Sequence, residues 1–249
     1  MQLAISPEDF QRLDSYLPKG MAGGAGAIPV ERAAGYLARL VLSHRVTPGQ
    51  KVPIDEIAQH IGASRTPVRE ALRLLETEGL VASLPNRGFI LRRLDAADVS
   101  HLYQARRCIE AFTAAQAFGH REPAFLDELR ALHGIYEGLA RRPGDNRRLG
   151  MLVDKAFHVR IARKAGNPHL TASLSNMFDR LILTRPIEDF PMGRMGEAVA
   201  EHAEVVAHLQ AGNAAEAAAA LIRNIDQGCE AIVAHMHSQS RLEIPAGPR

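Results

Sequence analysis

The stretch from Ile54 to Leu72 constrains this chain more than any other. It reads as two short amphipathic helices joined by a tight turn at Gly62, the second opening on Ser64-Arg65-Thr66. Ile57, Ile61, Val68, Leu72 and Leu75 recur at helical spacing and supply the apolar faces that pack the pair together. Arg65 and Arg69 stand four residues apart at the start of the second helix and therefore share a face. Hydroxyls and guanidinia at a helix N-terminus suit phosphate oxygens and guanine edges in a major groove. The motif points to DNA recognition rather than catalysis.

Its surroundings complete a small domain. A helical pattern runs from Pro29 to Ser43 through Val30, Ala33, Ala34, Leu37, Leu40 and Val41, and ends at Thr47-Pro48-Gly49. Val52-Pro53 is a short extended piece, and Gly79 stops the second motif helix. Residues 80–83 and 89–92 read as strands around the turn Leu84-Pro85-Asn86-Arg87-Gly88. Three helices and a hairpin predict a winged helix-turn-helix over residues 28–93. Between Val30 and Arg93 stand ten basic and six acidic residues, a local excess that the chain's net charge of +2 conceals.

Beyond Leu94 the texture turns to alanine-, leucine- and arginine-rich helical pattern with no strand signal. The expected segments are 95–119, 123–141, 146–166, 168–185, 195–212 and 214–238, broken at prolines and glycines. The fold class is therefore mostly α: a winged helix-turn-helix followed by an all-α bundle of about six helices over residues 95–238. Residues 1–27, with the run Gly23-Gly24-Ala25-Gly26, and residues 239–249 read as flexible tails, the first with a marginal helix around residues 7–16. Cys108 and Cys229 have neither metal nor redox spacing and are expected to be reduced core or near-core residues. With no secretory pattern and no bilayer-length apolar run, the expectation is a soluble, cytoplasmic protein without membrane partners.

A longer set of residues carries a family resemblance. Pro48-Gly49, Ile57-Ala58, the unbroken run from Ser64 to Leu72, Leu75-Glu76, Glu78-Gly79-Leu80-Val81 and Pro85-Asn86-Arg87-Gly88 resemble the N-terminal domain of GntR-family transcription regulators. The helical half resembles the FCD ligand-binding domain of the FadR-like branch through Arg106, Ile109-Glu110, Asp154, Phe157-His158, Ala165-Gly166-Asn167, Glu201-His202 and Gly212-Asn213. Six helices favour the shorter VanR-like version. The resemblance implies that Arg65 and Arg69 touch bases or nearby phosphates, with Ser64 and Thr66 holding the helix start. Arg87-Gly88 would form the wing tip, glycine permitting close approach of the main chain to the duplex. Arg73 continues the reading face or pairs with Glu70 or Glu76; the sequence leaves both open. Asp55 departs from members that place a basic contact residue there, which implies a differently specified operator.

In the second half, Asp154 and His158 stand four residues apart on one helix face. The resemblance joins them to His202 as metal ligands and expects a further histidine where this chain has Asn224. His235 lies three turns too far along its helix, and His208 points away from His202. That leaves Asn224 as the fourth protein ligand, through an amide oxygen harder and weaker than imidazole. The implied cofactor is a divalent transition metal (zinc, nickel or manganese), with an octahedral, water-completed site favoured. The rival reading of the same residues is a metal-free polar pocket that hydrogen-bonds the effector directly.

Arg106 either pairs with Glu110 along its helix or grips an effector carboxylate inside the cavity, as the resemblance implies, with Tyr103 lining the same space. Arg180 and Arg185 add charge to that pocket or decorate the surface. The sequence thus predicts a ligand-responsive regulator, a repressor acting as a homodimer on a pseudo-palindromic double-stranded DNA operator and controlled by a small carboxylate. It is not expected to be an enzyme. The alternatives are a metal-dependent hydrolase or lyase on Asp154, His158 and His202, and an architectural DNA binder with a ligand-free second domain.

Overall fold

The structure, a computed structural model, describes residues 13, 16–18, 27–119, 122–142 and 144–242. These form nine α-helices and a single two-stranded sheet among the described residues. Backbone proximity divides them into two compact units, one of residues up to Leu94 together with Phe178–Pro186, the other of Asp95–Met177 and the residues from Ile187 onward.

In the first unit, α1 (Pro29–Leu42) packs on α2 (Ile54–Ile61) and α3 (Arg65–Thr77). Pro29 sits at the first helical position, where its missing N–H is not needed. Gly62 ends α2 with φ of 62°, a left-handed conformation that closes the turn before α3 and suits glycine. Ile57, Ile61, Val68, Leu72 and Leu75 are all buried, as their spacing predicts. Tyr36 stacks on His60 at 3.6 Å between ring centroids and donates its hydroxyl to Glu56 at 3.1 Å, pinning α1 to α2.

The wing consists of β1 (Val81–Leu84) and β2 (Gly88–Leu91), antiparallel, with Val81 opposite Leu91 and Leu84 opposite Gly88. The strands are offset by one residue from the sequence expectation. Asn86 (φ 58°) and Gly88 (φ 92°) take the turn's left-handed positions, so pairing begins at Gly88 itself. The extended piece before α2 runs along β2, through Gly49 N–H to Leu91 (2.8 Å) and Val52 N–H to Phe89 (2.9 Å). The end of α7 (Pro168–Leu183) clusters with this unit: Leu94 N–H donates to Thr184 at 3.0 Å.

The second unit contains α4 (Ala96–Ala117), α5 (Pro123–Arg141), α6 (Arg147–Lys164), the start of α7, α8 (Arg194–Ala211) and α9 (Ala214–Leu242). Asp95 and Asp98 form a reciprocal capping box at the start of α4, with Asp98 N–H donating to Asp95 at 2.8 Å. α6 is buried almost all round and forms the centre of the bundle. α5 packs on α6 and α8, and α4 and α8 both pack on α9. No helix among the described residues is long and apolar enough to cross a membrane.

Three expectations change. Leu13 and Tyr16, in the stretch read as a flexible tail, are buried; most of that stretch lies outside the described residues. α9 continues to Leu242, so residues 239–242 are helical, while 243–249 lie outside the described residues. Cys108 is exposed on α4 rather than in or near the core, and Cys229 is half-buried; a small thiol on a helix carries no periodicity that fixes its side.

Candidate functional site

The first unit carries a concave, positively charged face. Arg65, Arg69 and Arg73 project from α3 toward a groove whose other wall is the wing, with Asn86, Arg87 and Gly88. Ser64, Arg65, Thr66, Arg69, Arg73 and Arg87 are all exposed. Arg69, Arg73 and Arg87 form no contact ion pair among the described residues, and Arg73 acts on Glu76 only through its charge. Glu76 instead accepts Ser83 N–H at 2.7 Å and ties α3 to the wing. Hydrogen bonding from the Ser83 hydroxyl and then its N–H, with the charge of Arg73 adding to them, holds the Glu76 carboxyl below the usual range. Ser64 occupies the cap position of α3 but makes no side-chain cap bond. Arg65 is not isolated: its Nε meets the Asp55 carboxylate at 2.5 Å, both side chains being largely exposed.

The second unit holds a buried polar cluster. Asp154 and His158 lie one turn apart on α6, and α8 brings His202 to them. Asp154 Oδ1 is 3.3 Å from His202 Nε2 and 3.7 Å from His158 Nε2, and the two Nε2 atoms are 3.3 Å apart. These three are the group among the described residues able to share a metal ion. The donor set fits one: two imidazole nitrogens and a carboxylate oxygen aimed at one point, at separations usual for ligands of one first-row cation. His158 Nδ1 donates to Glu110, which fixes the proton on that nitrogen and leaves Nε2 as a lone pair. His202 stacks on Phe157 (4.1 Å between centroids, 9° between planes), and its Nδ1 has no partner among the described residues.

The electrostatics agree with that geometry. Burial raises the Asp154 carboxyl, but the His202 bond, both imidazoles and Arg106 outweigh it and hold the group well below the usual carboxylate range. Burial pushes the His202 imidazole down despite Asp154, favouring the neutral ring a metal requires. Glu110, 1% exposed, is penalised by burial yet held below its ordinary value by His158 and Arg106.

Above the cluster lies a cavity of about 30 Å³ lined by Tyr103, Arg106, Tyr136, Asp154, Arg194 and Asn224 among others. Arg106 is buried, with its Nε on Glu110 at 2.9 Å and its guanidinium carbon 4.7 Å from the Tyr103 ring centroid. The two readings of Arg106 are thus compatible: it pairs with Glu110 and also faces the cavity. Arg194 donates to both oxygens of Glu201, at 2.7 and 2.5 Å, and to the Asn224 backbone carbonyl at 3.3 Å. Burial opposes its charge, but Glu201 raises the guanidinium further above its ordinary value. Arg180 and Arg185 do not line the cavity; both belong to the first unit, where Arg180 lies over Gly79.

With this geometry in view, comparison with known proteins is decisive. Residues 101–227 match the FCD domain, and residues 29–91 match the bacterial regulatory proteins of the gntR family. The chain belongs to the GntR family of transcription regulators. It is a DNA-binding transcription regulator and not an enzyme. It is 28% identical over 204 residues, 80% of this chain and 84% of the other, to an uncharacterized HTH-type transcriptional regulator of Streptomyces ambofaciens. It is 28% identical to a probable D-xylose utilization operon transcriptional repressor of Paenarthrobacter nicotinovorans, covering 73% of this chain and 78% of that one. Its fold matches that of Escherichia coli McbR/YncC with a TM-score of 0.70 at 20% identity, over 86% of this chain and 99% of that one.

For this GntR regulator, the sequence singled out Tyr103, Arg106, Asp154, His158, His202 and Asn224, and the fold brings all six to one cavity or the cluster beneath it. It overlooked Arg194, named Glu201 only as part of the resemblance with no role, and gave Glu110 only the role of partner to Arg106. The signal for the first two was present: Arg194, Glu197 and Glu201 recur at i, i+3 and i+7 along one helix face. The bond from His158 to Glu110 spans 48 residues and has no local signal.

Proposed function

We propose that this regulator binds a pseudo-palindromic operator as a homodimer in the cytoplasm, represses from it, and is controlled by a small carboxylate bound in the second unit. Ser64, Arg65, Thr66, Arg69 and Arg73 would lie in the major groove and Arg87-Gly88 at the neighbouring minor groove. One winged helix reads few base pairs, so useful specificity calls for two half-sites. Domain limits of 28–93 for reading and 95–238 for sensing are part of the same reading. Asp154, His158 and His202 would hold a divalent metal such as zinc, nickel or manganese, with Asn224 offering an oxygen. The metal would supply a Lewis-acidic anchor for the effector, while Arg106 compensates its carboxylate charge and Tyr103 walls the cavity.

The observation that carries this reading is the convergence of Asp154, His158 and His202 beneath a cavity that Arg106 enters. At about 30 Å³ the cavity has room for little more than a water or two. An acid of even five heavy atoms must therefore widen it. Its walls come from α4, α5, α6, α8 and α9, so occupancy would shift helices and favour one arrangement of the bundle over another.

The test is an operator selected from random duplexes, then challenged with a panel of small carboxylic acids in the presence of zinc. Release by at least one acid, lost in Arg106→Ala while operator affinity persists, is expected. If every acid leaves the complex intact, or Arg106→Ala responds as the parent does, the effector reading is wrong.

A further inference from the structure

Asp55 is the residue of the reading face that a DNA-binding surface has most reason to avoid. It stands in the first turn of α2 and puts a carboxylate in the groove shared by Arg65, Arg69, Arg73 and Arg87. Glu76, the other acid lining that groove, is accounted for by Ser83, whose N–H it accepts at 2.7 Å. Asp55 lacks such a tie. An acid suits the start of α2, but Glu56 supplies that charge one residue on. Asp55 Oδ1 stands 2.5 Å from Arg65 Nε, with the two side chains 72% and 68% exposed. An ion pair so open to water adds little to stability, and an acid beside phosphates weakens binding to every duplex. What Asp55 can supply is discrimination between duplexes.

We infer that Asp55 is a specificity-determining residue: it sets Arg65 to read guanine and itself admits only a base with an amino group beside it. The pair engages the Nε edge of the guanidinium, and the terminal nitrogens have no hydrogen-bond partner among the described residues. Those two nitrogens form a fork that matches guanine O6 and N7, an arrangement of two acceptors that no other base presents in the major groove. The second Asp55 oxygen also has no hydrogen-bond partner among the described residues, and a carboxylate can only accept. The amino groups of cytosine and adenine donate to it, whereas thymine and guanine set acceptors against it. With the pair 2.5 Å across and bases stacked about 3.4 Å apart, that amino group lies on the base pair of the Arg65 guanine or the next one. Held on Asp55, Arg65 is also withdrawn from the phosphates, which lowers non-specific binding. The inference rests on the major-groove placement of α3 proposed above and assigns Asp55, within it, to selectivity rather than affinity.

The experiment selects operators from random duplexes with the full chain and with Arg65→Ala, which locates the base pair that Arg65 reads. Affinity is then measured by fluorescence anisotropy across a salt series for that operator, its three alternatives at the located pair, and a duplex of unrelated sequence. The parent is expected to prefer guanine there at least about tenfold. Asp55→Ala should bring the four bases within about threefold of one another. It should also bind the unrelated duplex about three- to tenfold more tightly at about 0.1 M salt, with the slope of log affinity against log salt steeper by about 1. Asp55→Asn keeps an oxygen for Nε but drops the charge. It should match Asp55→Ala on the unrelated duplex and retain a guanine preference between those of the parent and Asp55→Ala. An Asp55→Ala protein that keeps the parent's preference, or that loses affinity for all duplexes alike, overturns this inference alone. Selection of the parent's consensus by Arg65→Ala overturns it together with the major-groove assignment beneath it.

Discussion

Glu110 is the side chain on which the buried cluster turns. It is 1% exposed, takes Arg106 Nε at 2.9 Å on one oxygen and His158 Nδ1 on the other. Replacing it with alanine leaves the guanidinium of Arg106, 2% exposed, without its carboxylate and opens a void. Breaking a buried pair from one side costs about 3–5 kcal/mol. At about 2–4 °C per kcal/mol for a chain of this size, the melting temperature should fall by roughly 6–20 °C. Glu110→Gln separates charge from shape. The amide still accepts from Arg106, but its nitrogen now faces the Nδ1–H of His158, donor against donor. Relief requires His158 to move its proton to Nε2, the atom aimed at Asp154 and His202. Zinc affinity should then fall by about 10–100-fold, the usual effect of losing a ligand's outer hydrogen-bond partner. Thermal melts with and without zinc, and competition against a chromophoric chelator, measure both effects. If Glu110→Gln binds zinc like the parent and Glu110→Ala melts within about 2 °C of it, Glu110 neither balances Arg106 nor orients His158.

The other expectations are shorter. Asp55→Ala removes an exposed ion pair with Arg65, so stability should change by no more than about 1 kcal/mol. The base preferred opposite Arg65 should nevertheless broaden, and an unchanged consensus from parallel selections would dismiss Asp55 as a determinant. Arg87→Ala should weaken operator binding and reduce the slope of log affinity against log salt by about 1, as loss of one cationic contact does; an unchanged affinity and slope would take Arg87 off the duplex. Gly62→Ala meets nothing within 4 Å but must adopt a φ of 62°, so it should cost about 1–2 kcal/mol in the first unit through backbone strain alone. Denaturant melts with no such loss would refute that account. Glu110 and Asp154 are held below ordinary carboxyl values of 4.5 and 3.8, so their stabilisation is complete above about pH 4.5 and fades as the pH falls through their lowered values. Stability should therefore drop more steeply below pH 4.5 in the parent than in Glu110→Gln, and equal acid slopes would count against it.

What the sequence made legible follows the range of the interactions involved. The reading helix, the wing and the helical bundle rest on periodicity, prolines and glycines, which act within a few residues. Asp154 and His158 share a helix turn, so their common direction was written in their spacing. The one-residue offset of the wing strands was not, because it depends on the left-handed backbone at Asn86 and Gly88. Nor was the ion pair of Asp55 with Arg65, which joins the first helix of the motif to the second. There the sequence displayed a missing basic residue; the structure shows that the acid engages the neighbouring reading residue instead.

The same limit applies with greater consequence at Asn224. Its identity alone suggests a weakened metal ligand, since an amide oxygen replaces an imidazole. Its neighbours alter that reading: Glu201 claims the amide nitrogen, and Arg194 prevents Glu201 from releasing it. Three residues from two helices thus decide how one amide is oriented. A substitution that reads by itself as a weakened ligand is also one member of a buried hydrogen-bonded trio, which its identity alone does not display.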